Sequence, residues 1–322
     1  MDIKDRFEAA LCAFVDKIKN DSNIRAVILY GSLVNDTVWE KSDIDVYVLV
    51  RENKRGKVSY CIEEDGIIIN IALQTEFDFK RGLERSPGDN WTFSMFSGAR
   101  VVYTKDESLH GFVEEFSNMG ADDRDLSFFH NSTWLLGGME KIEKWLTVKG
   151  DPLYAQMWVL KEVETYAHMR LILDKKPPSR EAVLKVMTYA PEAIKHLYER
   201  PMQGFMSRDE VADVLKFFRN FLTENLDMLK RPAKRYMSDG AARTLTTLCN
   251  HFGMCSHEIY HIFDFLEESG VVARVTEPVR LSKNSKSTVE EVAFIYLGSC
   301  PDSSLTEVSC EENNRSNRRK SE

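Results

Sequence analysis

Residues 29–50 read LYGSLVNDTVWEKSDIDVYVLV, and two apolar runs frame the stretch: Arg25–Tyr30 before Gly31, and Asp43–Val50 after it. Short runs rich in Val, Ile, Leu and Tyr, bounded by Gly and Ser, read as buried strands. The first 20 residues instead repeat apolar side chains at helical spacing, with Phe7, Leu11, Phe14, Val15 and Ile18 on one stripe. A chain that starts this way is committed to a sheet covered by helices. Against that apolar background, the second strand opens with two acids, Asp43 and Asp45.

Two residues apart on a strand, the acids point to the same face. Carboxylates placed together repel, and the arrangement is stable where a divalent cation lies between them. Hard cations such as Mg²⁺ take carboxylate oxygens together with phosphate oxygens. Gly31 lets the backbone turn sharply, and with Ser32 it can offer N–H groups and a hydroxyl to a phosphate. A metal grip beside a phosphate grip suits in-line attack on the α-phosphate of a nucleoside triphosphate, with two metals roughly 3.5–4 Å apart.

The pattern "YGSL…SDID", a Gly-Ser pair followed after ten residues by Asp-x-Asp on a strand, resembles the signature of the DNA polymerase β-like nucleotidyltransferase superfamily. It looks most like the aminoglycoside (kanamycin-type) nucleotidyltransferase branch. The resemblance implies an α+β fold: a nucleotidyltransferase mixed sheet with flanking helices, backed by a helical domain. It implies Mg²⁺ as cofactor, ATP or another nucleoside triphosphate as substrate, and a hydroxyl-bearing acceptor, with an aminoglycoside-type small molecule as one class. Asp43 and Asp45 become metal ligands and catalytic acids, while Gly31, Ser32 and Ser42 become nucleotide-binding residues. The family's third carboxylate should lie on the strand Gly66–Leu73, whose only central polar residue is Asn70. Asn70 would ligate metal through its carbonyl oxygen and add no charge. A weakly active or inactive nucleotide-sensing regulator is therefore the alternative to an active transferase. For a general base from the helical domain, Glu162 and Glu164 in "LKEVETYAHMR" are the candidates.

Further along, Val58–Ile62 reads as a strand, Glu76–Glu84 as a helix, Arg100–Tyr103 as a strand and Asp106–Phe116 as a helix. Helical periodicity then dominates over 125–149, 152–174, 179–200 with a break near Pro191, and 207–229, punctuated by Pro177-Pro178 and Pro201. Beyond Asp239 come a helix Ala241–Phe252, a tight turn, a helix Ser256–Glu268 capped by Ser256, and two strands, Val271–Val275 and Glu291–Leu297. That is the element order of a winged helix. The expected organisation is a nucleotidyltransferase domain at 1–120, a helical bundle at 121–236, a winged-helix-like module at 237–298 and a disordered polar tail at 299–322.

The formal charge of the 322-residue chain is −8. From Gly240 to Gly298 five basic residues face seven acidic ones, which disfavours DNA as the module's partner, with only Arg280, Lys283 and Lys286 of the wing suited to phosphate contacts, and favours packing on the bundle, substrate shaping or a homodimer contact. Cys249, Cys255, His251, His257 and His261 cluster in "CNHFGMCSHEIYH", but without the short-loop CxxC spacing of a structural zinc site. Six scattered cysteines, no secretory leader pattern and no long apolar run give the expectation of a cytoplasmic protein with no membrane partner.

Overall fold

The computed structural model describes residues 2–34, 37–84, 94–96, 98–117, 120–176, 179–284 and 286–298. It divides into two compact units, Met1–Pro232 and Ala233–Glu322. The expected Pro177-Pro178 break and the tail at 299–322 lie outside the described residues. Among the described residues, no helix is long and apolar enough to cross a membrane.

The first unit opens with helix α1 (Ile3–Ile18), started by the Asp2 carboxylate, which accepts from Ile3 N at 2.7 Å. Five strands follow: β1 (Ile24–Tyr30), β2 (Ile44–Val50), β3 (Val58–Glu64), β4 (Ile67–Thr75) and β5 (Arg100–Thr104). They form one mixed sheet in the order β3-β4-β2-β1-β5, with β2 and β4 parallel and the other pairs antiparallel. The alternation of a strand decides which core each residue joins. Val27 and Leu29 of β1, Ile44, Val46 and Val48 of β2, and Ile67, Ile69 and Ile71 of β4 bury against Phe7, Leu11 and Phe14 of α1. Ala26, Ile28 and Leu49 turn to the other face. There they meet Phe79 and Leu83 of α2 (Glu76–Glu84), Met95 and Phe96, and Leu109 and Val113 of α3 (Ser108–Ser117). The result is the α+β architecture expected, with both sheet faces covered.

Helix α4 (Ala121–Glu143) runs on through a π turn at Lys144–Val148, and α5 (Pro152–Leu173) packs along it. The pair is antiparallel. Gly138 of α4 meets Glu162 of α5, while Asn131 and Trp134 share a cavity with Thr165 and His168. The contact at Gly138 is so close that a Cβ there would sit 2.2 Å from the Glu162 carboxyl carbon. Helices α6 (Ala182–Tyr189), α7 (Pro191–Met202), α8 (Arg208–Glu224) and α9 (Leu226–Leu229) complete this part. Pro201 lies inside α7, where the proline-punctuated reading ended the helix one residue earlier. Ser207 and Glu210 cap α8 reciprocally. The expected single helix over 207–229 is broken at Asn225, whose side chain bonds the Phe221 carbonyl at 2.8 Å and competes with the backbone ladder. A short helix, α10 (Arg231–Met237), spans the junction between the units.

In the second unit, α11 (Leu245–Phe252) and α12 (Ser256–Glu268) are followed by β7 (Val272–Val279) and β8 (Val289–Tyr296), with β6 (Arg243–Thr244) joining a sheet of order β6-β8-β7. Residues 241–244, expected to be helical, leave the helix because Thr244 caps it from outside and pairs with Ala293. The cap of α12 is Cys255 rather than Ser256: the Glu258 carboxylate reaches back to Cys255 N at 3.0 Å. β7 runs through Pro278, a residue an edge strand tolerates because one side of its ladder is open.

Glu162 is the one buried acid of α5, 7 % exposed. Its Oε2 has no hydrogen-bond partner among the described residues, and burial pushes its carboxyl up to about 7. The folded protein therefore holds this proton more tightly than the unfolded chain does. Stability from the neutral form is complete below the ordinary glutamate range and is lost as pH rises through about 7. E162Q should remove that dependence, flattening a decline of about 2 kcal/mol between pH 5 and 8. Urea denaturation of the two proteins at both pH values measures it, and parallel pH profiles would contradict the assignment.

Candidate functional site

The site forms where β1 ends and β2 begins. Tyr30 of β1 pairs with Asp45 of β2, and Asp45 pairs in turn with Asn70 of β4. Because β2 and β4 are parallel and in this register, Asp45 and Asn70 share a face, the one opposite α1. β2 begins at Ile44, so Asp43 precedes the strand instead of opening it. Its side chain still reaches the same point: Asn70 Nδ2 donates to Asp43 Oδ2 at 2.6 Å and to Asp45 Oδ1 at 3.3 Å. One amide thus bridges both carboxylates. In this arrangement Asn70 offers them its nitrogen and not the carbonyl oxygen expected of a metal ligand; a half-turn of the amide would present that oxygen to the same place.

Gly31 completes the corner. Its φ of +86° is a backbone conformation that favours glycine. A Cβ there would stand 2.7 Å from Asp45 Oδ2, closer than such atoms pack. The glycine is needed twice over, for the turn and for the approach of bare backbone to the acid. Ser32 sits in the following loop, its carbonyl accepting from Thr37 N at 3.2 Å. Ser42, expected at the nucleotide, lies in the loop that leads into the acids, where its hydroxyl accepts from Trp39 N at 3.1 Å.

The surroundings are partly dry. Burial raises the Asp45 carboxyl above the usual carboxylate range, the Asp43 charge adds to the rise, and the Asn70 hydrogen bond opposes it. Tyr30 and Tyr47, ring centroids 5.0 Å apart, lie on the same face, and burial raises both phenols. Arg180 acts in the other direction: its positive charge lowers both Asp45 and Tyr30.

Arg180 also lines a cavity of about 340 Å³. The same cavity is lined by Lys161, Glu164, Thr165 and His168 of α5, by Asn131 and Trp134 of α4, and by Ser94. Positions 161, 164, 165 and 168 follow the helical i, i+3, i+4, i+7 repeat, so they form one stripe of α5. The two expected bases are therefore separated. Glu164 belongs to the stripe and enters the cavity, whereas Glu162, two residues before it, points into the contact with Gly138. His168 and Arg180 were missed. A polar stripe in an otherwise buried helix, Lys161-x-x-Glu164-Thr165-x-x-His168, is a signal that could have found the first. Arg180, just after Pro177-Pro178, has no sequence pattern that places it.

The donor set fits a hard divalent cation. Two carboxylates converge on one amide, burial and the Asp43 charge make the Asp45 charge costly, and the bare backbone of Gly31 lies against Asp45 Oδ2. G31A should strain the turn and push Asp45 aside, lowering stability by about 1–2 kcal/mol. It should also weaken Mn²⁺ binding at least tenfold. Urea melts and isothermal titration with Mn²⁺ read these two effects separately; unchanged Mn²⁺ affinity would contradict the corner geometry.

No curated protein matches the chain. A solved structure of a nucleotidyltransferase-like protein from Exiguobacterium sibiricum 255-15 superposes with a TM-score of 0.64 at 13% identity, covering 90% of this chain and 99% of that one. At that identity the likeness is one of fold. Residues 14–108, which include the strands, the Gly31 turn and all three site side chains, match the family described as "Polymerase beta, Nucleotidyltransferase". Over residues 14–108 the chain is thus similar to nucleotidyltransferase domains of the polymerase β type.

Proposed function

We propose that the protein transfers a nucleoside monophosphate from ATP or another nucleoside triphosphate to a hydroxyl acceptor, with Mg²⁺ held at Asp43 and Asp45. The observation that carries this reading is the convergence of those two acids on the Asn70 amide, beside a glycine turn whose backbone lies against Asp45. When bound, the cation would neutralise the acids and charge developing on the phosphates. The chain's own groups do the rest. Asp43 and Asp45 fix the position of the triphosphate, the Gly31-Ser32 turn supplies backbone N–H groups, and Tyr30, Tyr47 and Phe96 form an apolar floor that keeps water from that side. The cavity between Arg180 and the α5 stripe would take the acceptor. Its lining offers Lys161 and Arg180 against Glu164, so the cavity does not by itself select a polycation. An aminoglycoside-type acceptor has only the overall net charge of −8 in its favour.

A second reading is a regulator that binds nucleotide and turns it over slowly. It is favoured by Asn70, an amide in place of the third carboxylate of the superfamily pattern. The two readings separate when the protein is incubated with α-labelled ATP, Mg²⁺ and a panel of hydroxyl acceptors. An active transferase labels an acceptor, and D43N or D45N lowers the label by at least 10³-fold. Nucleotide binding with no label in any acceptor would favour the regulator.

Asn70 itself gives a sharper test. N70D removes both amide hydrogen bonds and adds a third charge, so without a divalent cation the protein should lose about 1–3 kcal/mol of stability. With Mg²⁺ that loss should be offset, and the transfer rate should rise. A rate that stays level or falls would show that the missing acid does not limit turnover.

A further inference from the structure

The Cys/His cluster of the second unit has no part in the proposed transfer, and the structure sorts its members. His251 stacks on Tyr236, with ring centroids 3.4 Å apart and planes 7° from parallel. Cys255 caps α12. Burial raises the Cys249 thiol, which favours the protonated form over the thiolate that ligates metals. His257 and His261 come together instead. Four residues apart on α12, they are neighbours on one side of the helix. Their Nε2 atoms stand 2.9 Å apart, and their ring planes cross at 85°.

Two imidazole nitrogens this close need a proton or a cation between them, because two lone pairs facing each other repel. Without metal, one ring keeps its Nε2 proton and donates it to the other. A metal ion takes the same place once that proton has moved to Nδ1 of its own ring, which frees both Nε2 lone pairs. His257 is exposed and His261 half-buried, so water can carry the proton from one nitrogen to the other. The spacing of the pair is set by a well-anchored helix. Ile259, Ile262, Phe263 and Leu266 are buried, and Arg274 of β7 pairs with both Asp264 and Glu267 further along.

We propose that His257 and His261 form a chelating site for a divalent transition-metal ion, Ni²⁺ or Cu²⁺ in preference to Zn²⁺. The proposal is independent of the transfer reading above. At metal–nitrogen distances of about 2.0–2.1 Å, nitrogens 2.9 Å apart subtend about 90° at the ion. That is the angle between adjacent ligands in square-planar or tetragonal coordination. A tetrahedral zinc ion needs the two nitrogens about 0.4 Å further apart. Ligand type separates this site from the acid pair. Imidazole suits Ni²⁺, Cu²⁺ and Zn²⁺, whereas carboxylates and water suit Mg²⁺. One chain thus offers a hard cation the carboxylates of Asp43 and Asp45, and a borderline cation the imidazoles of α12.

The test is isothermal titration of the full, untagged chain with Ni²⁺ and with Zn²⁺, in the native protein, H257Q, H261Q and C255S, with thermal melts of each in the absence and presence of Ni²⁺. The native protein should bind Ni²⁺ more tightly than Zn²⁺, and excess Mg²⁺ should not displace it. H257Q and H261Q should each weaken Ni²⁺ binding by at least about tenfold, the lower end of what loss of a mere supporting partner costs a metal site. C255S should leave the affinity unchanged. Ni²⁺ should raise the Tm of the native protein and of C255S, and should raise it less or not at all in the two histidine variants. Metal-free melts verify that the variants are folded. Native Ni²⁺ affinity in both histidine variants, a loss that follows C255S instead, or displacement by Mg²⁺ would overturn the site. Tighter binding of Zn²⁺ than of Ni²⁺ would overturn the coordination geometry assigned to it.

Discussion

The repulsion between Asp43 and Asp45 sets the terms for the rest of the first unit. Their side chains meet at the Asn70 amide, in surroundings dry enough to raise the Asp45 carboxyl. In water such a pair would cost little, because solvent screens it; beside a packed sheet it must be answered by donors or by a cation. The protein answers with one amide, and with the more distant charge of Arg180. The answer depends on register. If β4 slipped by one residue along β2, Asn70 would turn toward α1, and Ile69 or Ile71 would meet the acids. The apolar alternation that buries Ile67, Ile69 and Ile71 is therefore also what holds the amide in place.

Asn70 is then a compromise. A third acid would strengthen the grip on a divalent cation and worsen the cation-free state. An amide satisfies the cation-free state and contributes no charge. Which side of that balance matters depends on whether the site is occupied for most of the protein's life, and this is the physical difference between a transferase and a slow nucleotide-binding regulator.

Much of this was legible in the sequence, for identifiable reasons. The strands β1 and β2, the stripe of α1 and the pairing of Asp43 with Asp45 follow from period-2 and period-3.6 patterns, which are local properties. Pairing the acids needed only their spacing, and so survived the misplacement of Asp43 inside β2. What failed was non-local or depended on competing hydrogen bonds. Cys255 replaced Ser256 as a cap because Glu258 reached the earlier N–H. Asn225 broke a helix whose apolar pattern ran straight through it. On α5, Glu162 and Glu164, both named as candidate bases, diverge because two residues on a helix stand about 200° apart. Arg180 reaches the acids only through the tertiary fold.

Helix α5 thus carries two opposed proton demands on opposite faces. Its inner face buries Glu162, whose neutral form suits the contact with Gly138 and is lost as pH rises through about 7. Its cavity face presents His168, whose imidazole is lowered by burial against the opposing pull of Glu164 and whose neutral form is lost as pH falls. A neutral glutamate needs the acid side of neutrality, while burial of the imidazole carries the neutral histidine down toward that same side. Both side chains are neutral together in an interval bounded from above by the glutamate, at about 7, and from below by the lowered imidazole, so that the window lies on the acid side of neutrality.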